Sequence, residues 1–222
     1  MDPNLQIHAD KTGKAVNSTQ YKSMVGGLRY LVHTRPDIAF AVGIVSRYME
    51  RPTELHLNAV KRICRYVNET MHYGLMYTKG KGNYILTGFS DNDLAGSLDD
   101  RKSTRGMAFY LDENLVTWVS QKQRCVALSS CEAEFMDATA AACQAIWLQS
   151  AVDLSQIPVF YGRSKYIDLR YHFIRDCVEK GLIIIRHVST NEQRVDIVTK
   201  AMAAAKFEKM RDLLGVKKLN GV

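Results

Sequence analysis

The sequence lacks the marks of a disulfide-rich, zinc-binding or membrane-spanning protein. Its five cysteines are odd in number and widely spaced, and none forms a C-x-x-C pair, which indicates reduced, structural thiols. The longest apolar stretch near the start, residues 38–45, is far too short to cross a bilayer. The opening residues MDPNLQIHADKTGK are polar and do not resemble a secretory signal. We therefore expect an intracellular protein, cytoplasmic or nuclear, that has no membrane partner.

Internal repeats and low-complexity tracts are also missing, so composition sets the remaining bounds. Hydrophobic residues make up 46% and charged residues 24% of the 222 positions, which is typical of a soluble globular protein with one core, or one core and a small appendage. The net charge of +7, with a pI near 9.1, favours a polyanionic partner. Dispersed Lys and Arg side chains are more often a solvated surface, so the charge alone is a weak indication.

The first third of the chain has the pattern of helices. Apolar residues recur at helical spacing over residues 21–34, and Pro36 ends this segment because the residue before a proline avoids the helical conformation. Two further helices are predicted over residues 37–49 and 55–69. We assign residues 1–73 to this helical segment.

The pattern changes after His72, and residues 74–222 are predicted to form a second domain of strands and helices. The predicted elements are, in order, strands at 75–78, 84–91, 106–111 and 115–120, an Ala-rich helix from 130 to 148, a helix at 164–180, a strand at 182–188, and a helix to about 214. The third and fourth strands form a predicted hairpin. This order predicts an α/β or α+β layered architecture.

Three acidic side chains fall where one edge of a sheet could collect them. Asp91 ends a predicted strand, Glu134 lies on a helix face of small residues, and Asp196 lies near the start of the last helix. Clustered carboxylates require a cation, so such a site would take Mg²⁺ or Mn²⁺, and two ions about 4 Å apart suit phosphodiester hydrolysis. An acid of this kind, taken alone, is more often a surface or capping residue, and Asp196 could simply favour a helix N-terminus.

Long ordered motifs in the chain resemble a known family. The runs GFSDNDLAGSLDDRKSTRGMAFYL, VTWVSQKQRCVALSSCEAEFMDA, GRSKYIDLRYHFIRDCVEKGLIIIRHV and NEQRVDIVTKAM resemble the ribonuclease H domain at the C-terminus of copia-type retrotransposon Pol polyproteins. The run YKSMVGGLRYLVHTRPDIAFAVGIVSRYM resembles the segment that joins the reverse-transcriptase domain to that ribonuclease. The resemblance implies a ribonuclease H-like mixed five-stranded sheet with flanking helices. It also implies Mg²⁺-dependent cleavage of the RNA strand of an RNA–DNA hybrid, without a small-molecule cofactor.

The resemblance further implies roles for individual residues. Asp91 in FSDND, Glu134 in EAEF and Asp196 in RVDIVTK match catalytic carboxylates that bind the metal. His187 matches a mobile histidine thought to assist proton transfer or product release. Three residues would face nucleic-acid phosphates, as hydroxyl and cationic groups commonly do, although a solvated helix start explains them equally well: Arg163, Ser164 and Lys165.

One part of the family pattern is missing from the chain. The family carries a strand with a further aspartate, usually in a V-D-N-x-S-A run, between the long helix and the G-R-S-K segment. Here IWLQ passes directly into SAVDLSQIPVFYGRSK, and Ser150 and Ala151 match the end of that run. A deletion near residues 149–150, of about 20 residues, therefore removes an internal strand. Asp153 is no replacement, because it follows the S-A pair.

The missing strand has a structural and a chemical consequence. Its neighbours must either close up or leave a groove with unpaired backbone groups. Loss of a metal ligand predicts weakened metal affinity and little or no nuclease activity, because positioning and charge stabilisation supply the rate. A catalytically impaired ribonuclease H-like protein is the leading interpretation. A residual Mg²⁺-dependent endonuclease and a non-catalytic nucleic-acid-binding protein are the alternatives, and salt-sensitive binding without turnover would favour the latter.

Overall fold

The computed structural model describes residues 7–79, 84–127, 129–156 and 170–219, which form a ribonuclease H-like α+β fold and confirm the predicted class. The described helices are α1 (Ser18–Leu31), α2 (Ala39–Ser46), α3 (Glu54–Glu69), α4 (Ser130–Gln156), α5 (Arg170–Glu179), α6 (Asp196–Thr199) and α7 (Ala204–Leu214). The described strands are β1 (Tyr73–Leu75), β2 (Leu86–Asp93), β3 (Thr104–Leu111), β4 (Asn114–Lys122) and β5 (Val216–Lys218). None of the described helices is long and apolar enough to span a membrane.

The three predicted helices at the start of the chain are confirmed. Asn17 caps α1, because its side-chain oxygen accepts a hydrogen bond from the Gln20 backbone N–H at 3.0 Å. Helix α3 begins with a capping box, in which Thr53 and His56 form reciprocal side-chain to backbone hydrogen bonds. A 3₁₀ turn, Pro36–Ile38, precedes α2. The apolar faces of the three helices pack together in a cluster that includes Tyr21, Val25, Val42, Val45 and Val60.

The described strands do not form the expected mixed five-stranded sheet. Instead, β2, β3 and β4 form an antiparallel central sheet in that order, and β1 pairs with β5 in a second antiparallel sheet. The predicted hairpin is confirmed, since a two-residue turn at Asp112 joins β3 to β4. Alternate residues of β3 face opposite sides of the sheet. Ala108 and Tyr110 join a core cluster with α6 and α7, while Phe109 faces the alanines of α4. The sheet therefore lies between α4 on one side and α6 and α7 on the other.

The helical segment is held against the sheet by polar contacts. Trp118 on β4 donates from Nε1 to the Val32 carbonyl at 3.1 Å. Arg47, at the end of α2, donates to Thr104 Oγ1 at 3.0 Å. These contacts fix the start of β3 and the middle of β4. The domain boundary between residues 73 and 74 stays a prediction.

The strand predicted over residues 182–188 is wrong. These residues form no strand, and Leu182, Ile184 and Ile185 are 59%, 79% and 57% exposed. An apolar run is stable as a buried strand only when a neighbouring strand pairs its backbone groups and other layers cover its side chains. Here β2 is an edge strand, and none of the described strands lies between β2 and this run. The unpaired run is what loss of an internal strand would produce.

Helix α6 lies directly on β3 because residue 106 has no side chain. A Cβ atom at Gly106 would lie 2.5 Å from Thr199 Cγ2 and 2.8 Å from Val198 Cγ2. Such distances are shorter than carbon atoms tolerate, so only glycine permits this approach. The apolar residues of this contact belong to the core cluster that also contains Ala108 and Tyr110.

We predict that Gly106→Ala lowers the free energy of unfolding by about 1–3 kcal/mol, because the added methyl group forces α6 away from β3. The matched control is Gly27→Ala in α1, where a Cβ would meet nothing within 4 Å. Alanine at that helical position should stabilise the protein by up to about 1 kcal/mol. Urea unfolding of both variants and the parent measures the difference, and unchanged stability of Gly106→Ala would contradict the close approach.

Candidate active site

Two of the three predicted carboxylates meet at the end of β2. Asp91 pairs with Gly106 in the β2–β3 register, and Asp196 is the first residue of α6, which covers that glycine. The Thr199 hydroxyl, at the other end of α6, donates to Asp91 Oδ2 at 2.8 Å. The Asp196 side chain is 2% exposed and that of Asp91 is 21% exposed. The close approach of α6 therefore creates an acid pair at the open edge of the sheet.

Two lysine side chains neutralise this acid pair. Lys200 Nζ lies 2.8 Å from Asp196 Oδ1 and 3.4 Å from Asp91 Oδ2. Lys206 Nζ lies 2.6 Å from the other oxygen of Asp196, Oδ2. Although burial acts to raise the pKa of Asp196, hydrogen bonds from the two lysines hold it below its usual value. Burial raises the pKa of Asp91, and the contacts with Thr199 and Lys200 offset only part of this rise.

The third predicted ligand, Glu134, does not join the acid pair. It is exposed on α4, and the described part of the chain holds no group of three His, Cys, Asp or Glu side chains placed to bind a metal ion. At the acid pair itself, two carboxylates face two ammonium groups, so the charges of these four groups balance. Divalent ions bind where negatively charged oxygen ligands are in excess. In this arrangement the residues do not fit a magnesium or manganese centre.

Asp137, one turn after Glu134, is a buried acid on α4. Asp137 is 2% exposed, and its Oδ1 accepts a hydrogen bond from Gln123 Nε2 at 2.9 Å. Burial raises the pKa of Asp137 to about 6, against the lowering effects of the Gln123 hydrogen bond and the Arg105 charge. Asp137 Oδ2 and Gln123 Oε1 are buried acceptors without a donor among the described residues. A proton on Asp137 would supply the missing donor, in agreement with its raised pKa.

Another acid that sequence reasoning missed is Asp93, two residues after Asp91 on β2. It accepts a hydrogen bond from the Thr104 backbone N–H. Burial raises the pKa of Asp93 to about 6, and that hydrogen bond and the Arg47 charge oppose the rise. Strand alternation would have placed Asp93 on the same face as Asp91. Helical spacing would likewise have placed Asp137 near Glu134 and Lys200 near Asp196.

Four further predicted residues have different outcomes. His187 is exposed within the unpaired run that follows α5. The predicted phosphate-binding residues lie outside the described part of the chain: Arg163, Ser164 and Lys165. Their roles stay predictions, as do the catalytic roles of Asp91, Glu134 and Asp196.

A groove of about 570 Å³ separates β2 from the unpaired run. Its floor is the alanine face of α4, one wall is residues 86–90 of β2, and the other wall is residues 181–186. Gln193 Nε2 donates to the Ser90 carbonyl at 3.0 Å, so a side chain pairs one backbone acceptor of β2. Of the two outcomes expected from loss of an internal strand, closure or a groove, the structure has the groove.

Comparison with known proteins identifies several relatives. The chain is 41% identical over 217 residues to the retrovirus-related Pol polyprotein from transposon TNT 1-94 of Nicotiana tabacum, covering 88% of this chain and 16% of that protein. It is 36% identical over 237 residues to the retrovirus-related Pol polyprotein from transposon RE1 of Arabidopsis thaliana, covering 97% of this chain and 16% of that protein. It is 45% identical over 134 residues to the secreted RxLR effector protein 161 of Plasmopara viticola, covering 60% of this chain and 94% of that protein.

The relatives cover the chain very differently. This chain spans only 16% of the length of the tobacco and Arabidopsis polyproteins, so it is similar to one part of each. No protein-family model and no solved structure matches the chain.

We predict that Asp137→Asn flattens the pH dependence of stability between about pH 4 and pH 6. A carboxyl group whose pKa is raised in the folded state binds its proton more tightly there than in the unfolded state. The parent protein therefore loses stability as the pH rises from the ordinary pKa of an aspartate to the folded-state pKa of about 6. At pH 7.5 the variant should therefore be more stable than the parent by about 1–3 kcal/mol, whereas near pH 4 the difference should nearly vanish.

Urea unfolding at pH 4, 6 and 7.5 measures this effect. Glu208→Gln is the matched control, because it removes one negative charge from an exposed position on α7. It should leave the pH profile unchanged. A loss of stability in Asp137→Asn at pH 7.5 would show that the ionised carboxylate is the favoured form.

Proposed function

Because the chain belongs to the family of copia-type retrotransposon Pol polyproteins, we propose that it is a ribonuclease H-like fragment impaired in the hydrolysis of RNA–DNA hybrids. One observation carries the proposal. Asp91 and Asp196 meet at the end of β2, while Glu134 stays exposed on α4. A sheet-edge acid pair is part of what phosphodiester hydrolysis requires, and an incomplete set accounts for the impairment.

The contacts of the acid pair support impairment. The expected cofactor, Mg²⁺ or Mn²⁺, must compete with Lys200 and Lys206 for the carboxylate oxygens of Asp196. Only one oxygen of the pair, Asp91 Oδ1, has no ammonium group beside it among the described contacts. We therefore propose weak metal affinity and slow or no turnover. A residual nuclease remains the alternative, because Mg²⁺ can bind through one or two carboxylates when substrate phosphates complete its ligands.

A second candidate function is nucleic-acid binding without turnover. Asp91 and Asp93 lie towards the end of the sheet where β3 begins and β4 ends. Five cationic residues lie at or near the same end: Arg101, Lys102, Arg105, Lys122 and Arg124. Arg101 and Arg124 are exposed and so are available to phosphate groups. The net charge of +7 favours association with a polyanion.

We predict that the protein cleaves a labelled RNA–DNA hybrid at most marginally in Mg²⁺ and in Mn²⁺, because the metal-binding set is incomplete. The assay measures labelled fragments over time, with Asp91→Asn as the control for contaminating nuclease. Circular dichroism confirms that both samples are folded. Turnover by the parent that Asp91→Asn abolishes would overturn the impairment and establish the residual nuclease instead.

We predict that the protein binds an RNA–DNA hybrid with an affinity that falls steeply with salt, because bound phosphates release counterions. The double variant Arg101→Gln/Arg124→Gln should reduce the slope of log affinity against log salt by about 2. The control Lys22→Gln/Arg29→Gln removes two exposed charges from α1 and should leave the slope unchanged. Equal slopes in all three proteins, measured by fluorescence anisotropy, would place the binding surface elsewhere.

A further inference from the structure

An ammonium group lies between the two carboxylates of the acid pair. Lys200 Nζ contacts both acids, at 2.8 Å from Asp196 Oδ1 and 3.4 Å from Asp91 Oδ2. Lys206 differs, because its Nζ contacts only Asp196, at 2.6 Å from Oδ2. Lys200 is therefore the one of these two lysines that bridges β2 and α6.

The backbone fixes the position of Lys200. It directly follows α6, and its backbone N–H donates to the Asp196 carbonyl at 3.1 Å. Helix α6 is itself held on β3 by the close approach at Gly106. The Thr199 hydroxyl adds a hydrogen bond to Asp91 Oδ2. The backbone that carries the Lys200 side chain is therefore held in place by the same contacts that position the two carboxylates.

We propose that Lys200 is a tethered cation that takes the place of a divalent metal ion between Asp91 and Asp196. The ammonium group supplies the positive charge that keeps two neighbouring carboxylates together. This inference goes beyond the proposed function, because it concerns which cation the acid pair holds and not whether a hybrid is cleaved.

Competition between the two cations favours the lysine. Mg²⁺ would have to lie about 2.1 Å from the same oxygens, in space that the ammonium group occupies, and the two positive charges would repel each other. A group on a short tether acts at an effective concentration of about millimolar or higher. Free Mg²⁺ must also lose tightly held water. Lys206 further lowers the negative charge of Asp196.

Removal of the Lys200 charge should open the acid pair to metal. Lys200→Gln should bind Mn²⁺ at least tenfold more tightly than the parent, in titrations of the full chain followed by the electron paramagnetic resonance signal of free Mn²⁺. Lys209→Gln is the matched control, because it removes an exposed lysine charge from α7. Its Mn²⁺ affinity should equal that of the parent. Adding Asp196→Asn to Lys200→Gln should abolish the gain.

Each outcome decides the proposal. A gain in Lys200→Gln that Asp196→Asn removes supports it, and a folded Lys200→Gln protein without any gain overturns it. If Lys200→Gln does not fold, Mn²⁺ binding by the parent protein tests the proposal instead. If the parent binds Mn²⁺ with a dissociation constant below about 1 mM, and Asp91→Asn abolishes this binding, the proposal that Lys200 replaces the metal is overturned. If the parent binds no Mn²⁺ at concentrations up to about 10 mM, the proposal is supported. Hybrid cleavage is a separate readout: its absence leaves this assignment untouched, whereas metal-dependent turnover that Asp91→Asn abolishes would count against it.

Discussion

The approach of α6 to β3 at Gly106 is the constraint on which the acid pair depends. A side chain at this position would overlap Thr199 and Val198, so the helix could not reach the sheet. With the helix in place, Asp196 arrives beside Asp91, which lies opposite the same glycine on the neighbouring strand. The contact between Asp91 and the α6 residues is thus a consequence of the missing side chain at position 106.

Much of the fold could be predicted from local sequence patterns. The three leading helices, the β3–β4 hairpin and the long alanine-rich helix follow from apolar spacing and from turn residues, which act over a few positions. The run at 182–188 was predicted wrongly because its apolar composition is only half of what a strand requires. The other half is a neighbour that pairs its backbone, and none of the described strands provides one.

The candidate site could be predicted only in part, for a related reason. Asp91 and Asp196 were placed together because a strand end and a helix start are recognisable in sequence. The exposure of Glu134 and the burial of Asp137 depend on how α4 is rotated against the sheet, which helical spacing leaves open within a turn. Lys200 is the last residue of the RVDIVTK motif that contains Asp196. The sequence alone does not distinguish a surface lysine from one that bridges two carboxylates.

The edge of β2 and the exposed isoleucines across the groove affect the tendency of the protein to self-associate as its concentration rises. Among the described residues no strand pairs with this edge of β2, and such an edge beside an exposed apolar run is a template for a neighbouring molecule to extend the sheet. The positive charge of the chain opposes such encounters, but salt confines that repulsion to about 10 Å at 0.1 M. We therefore expect colloidal stability to fall as ionic strength increases.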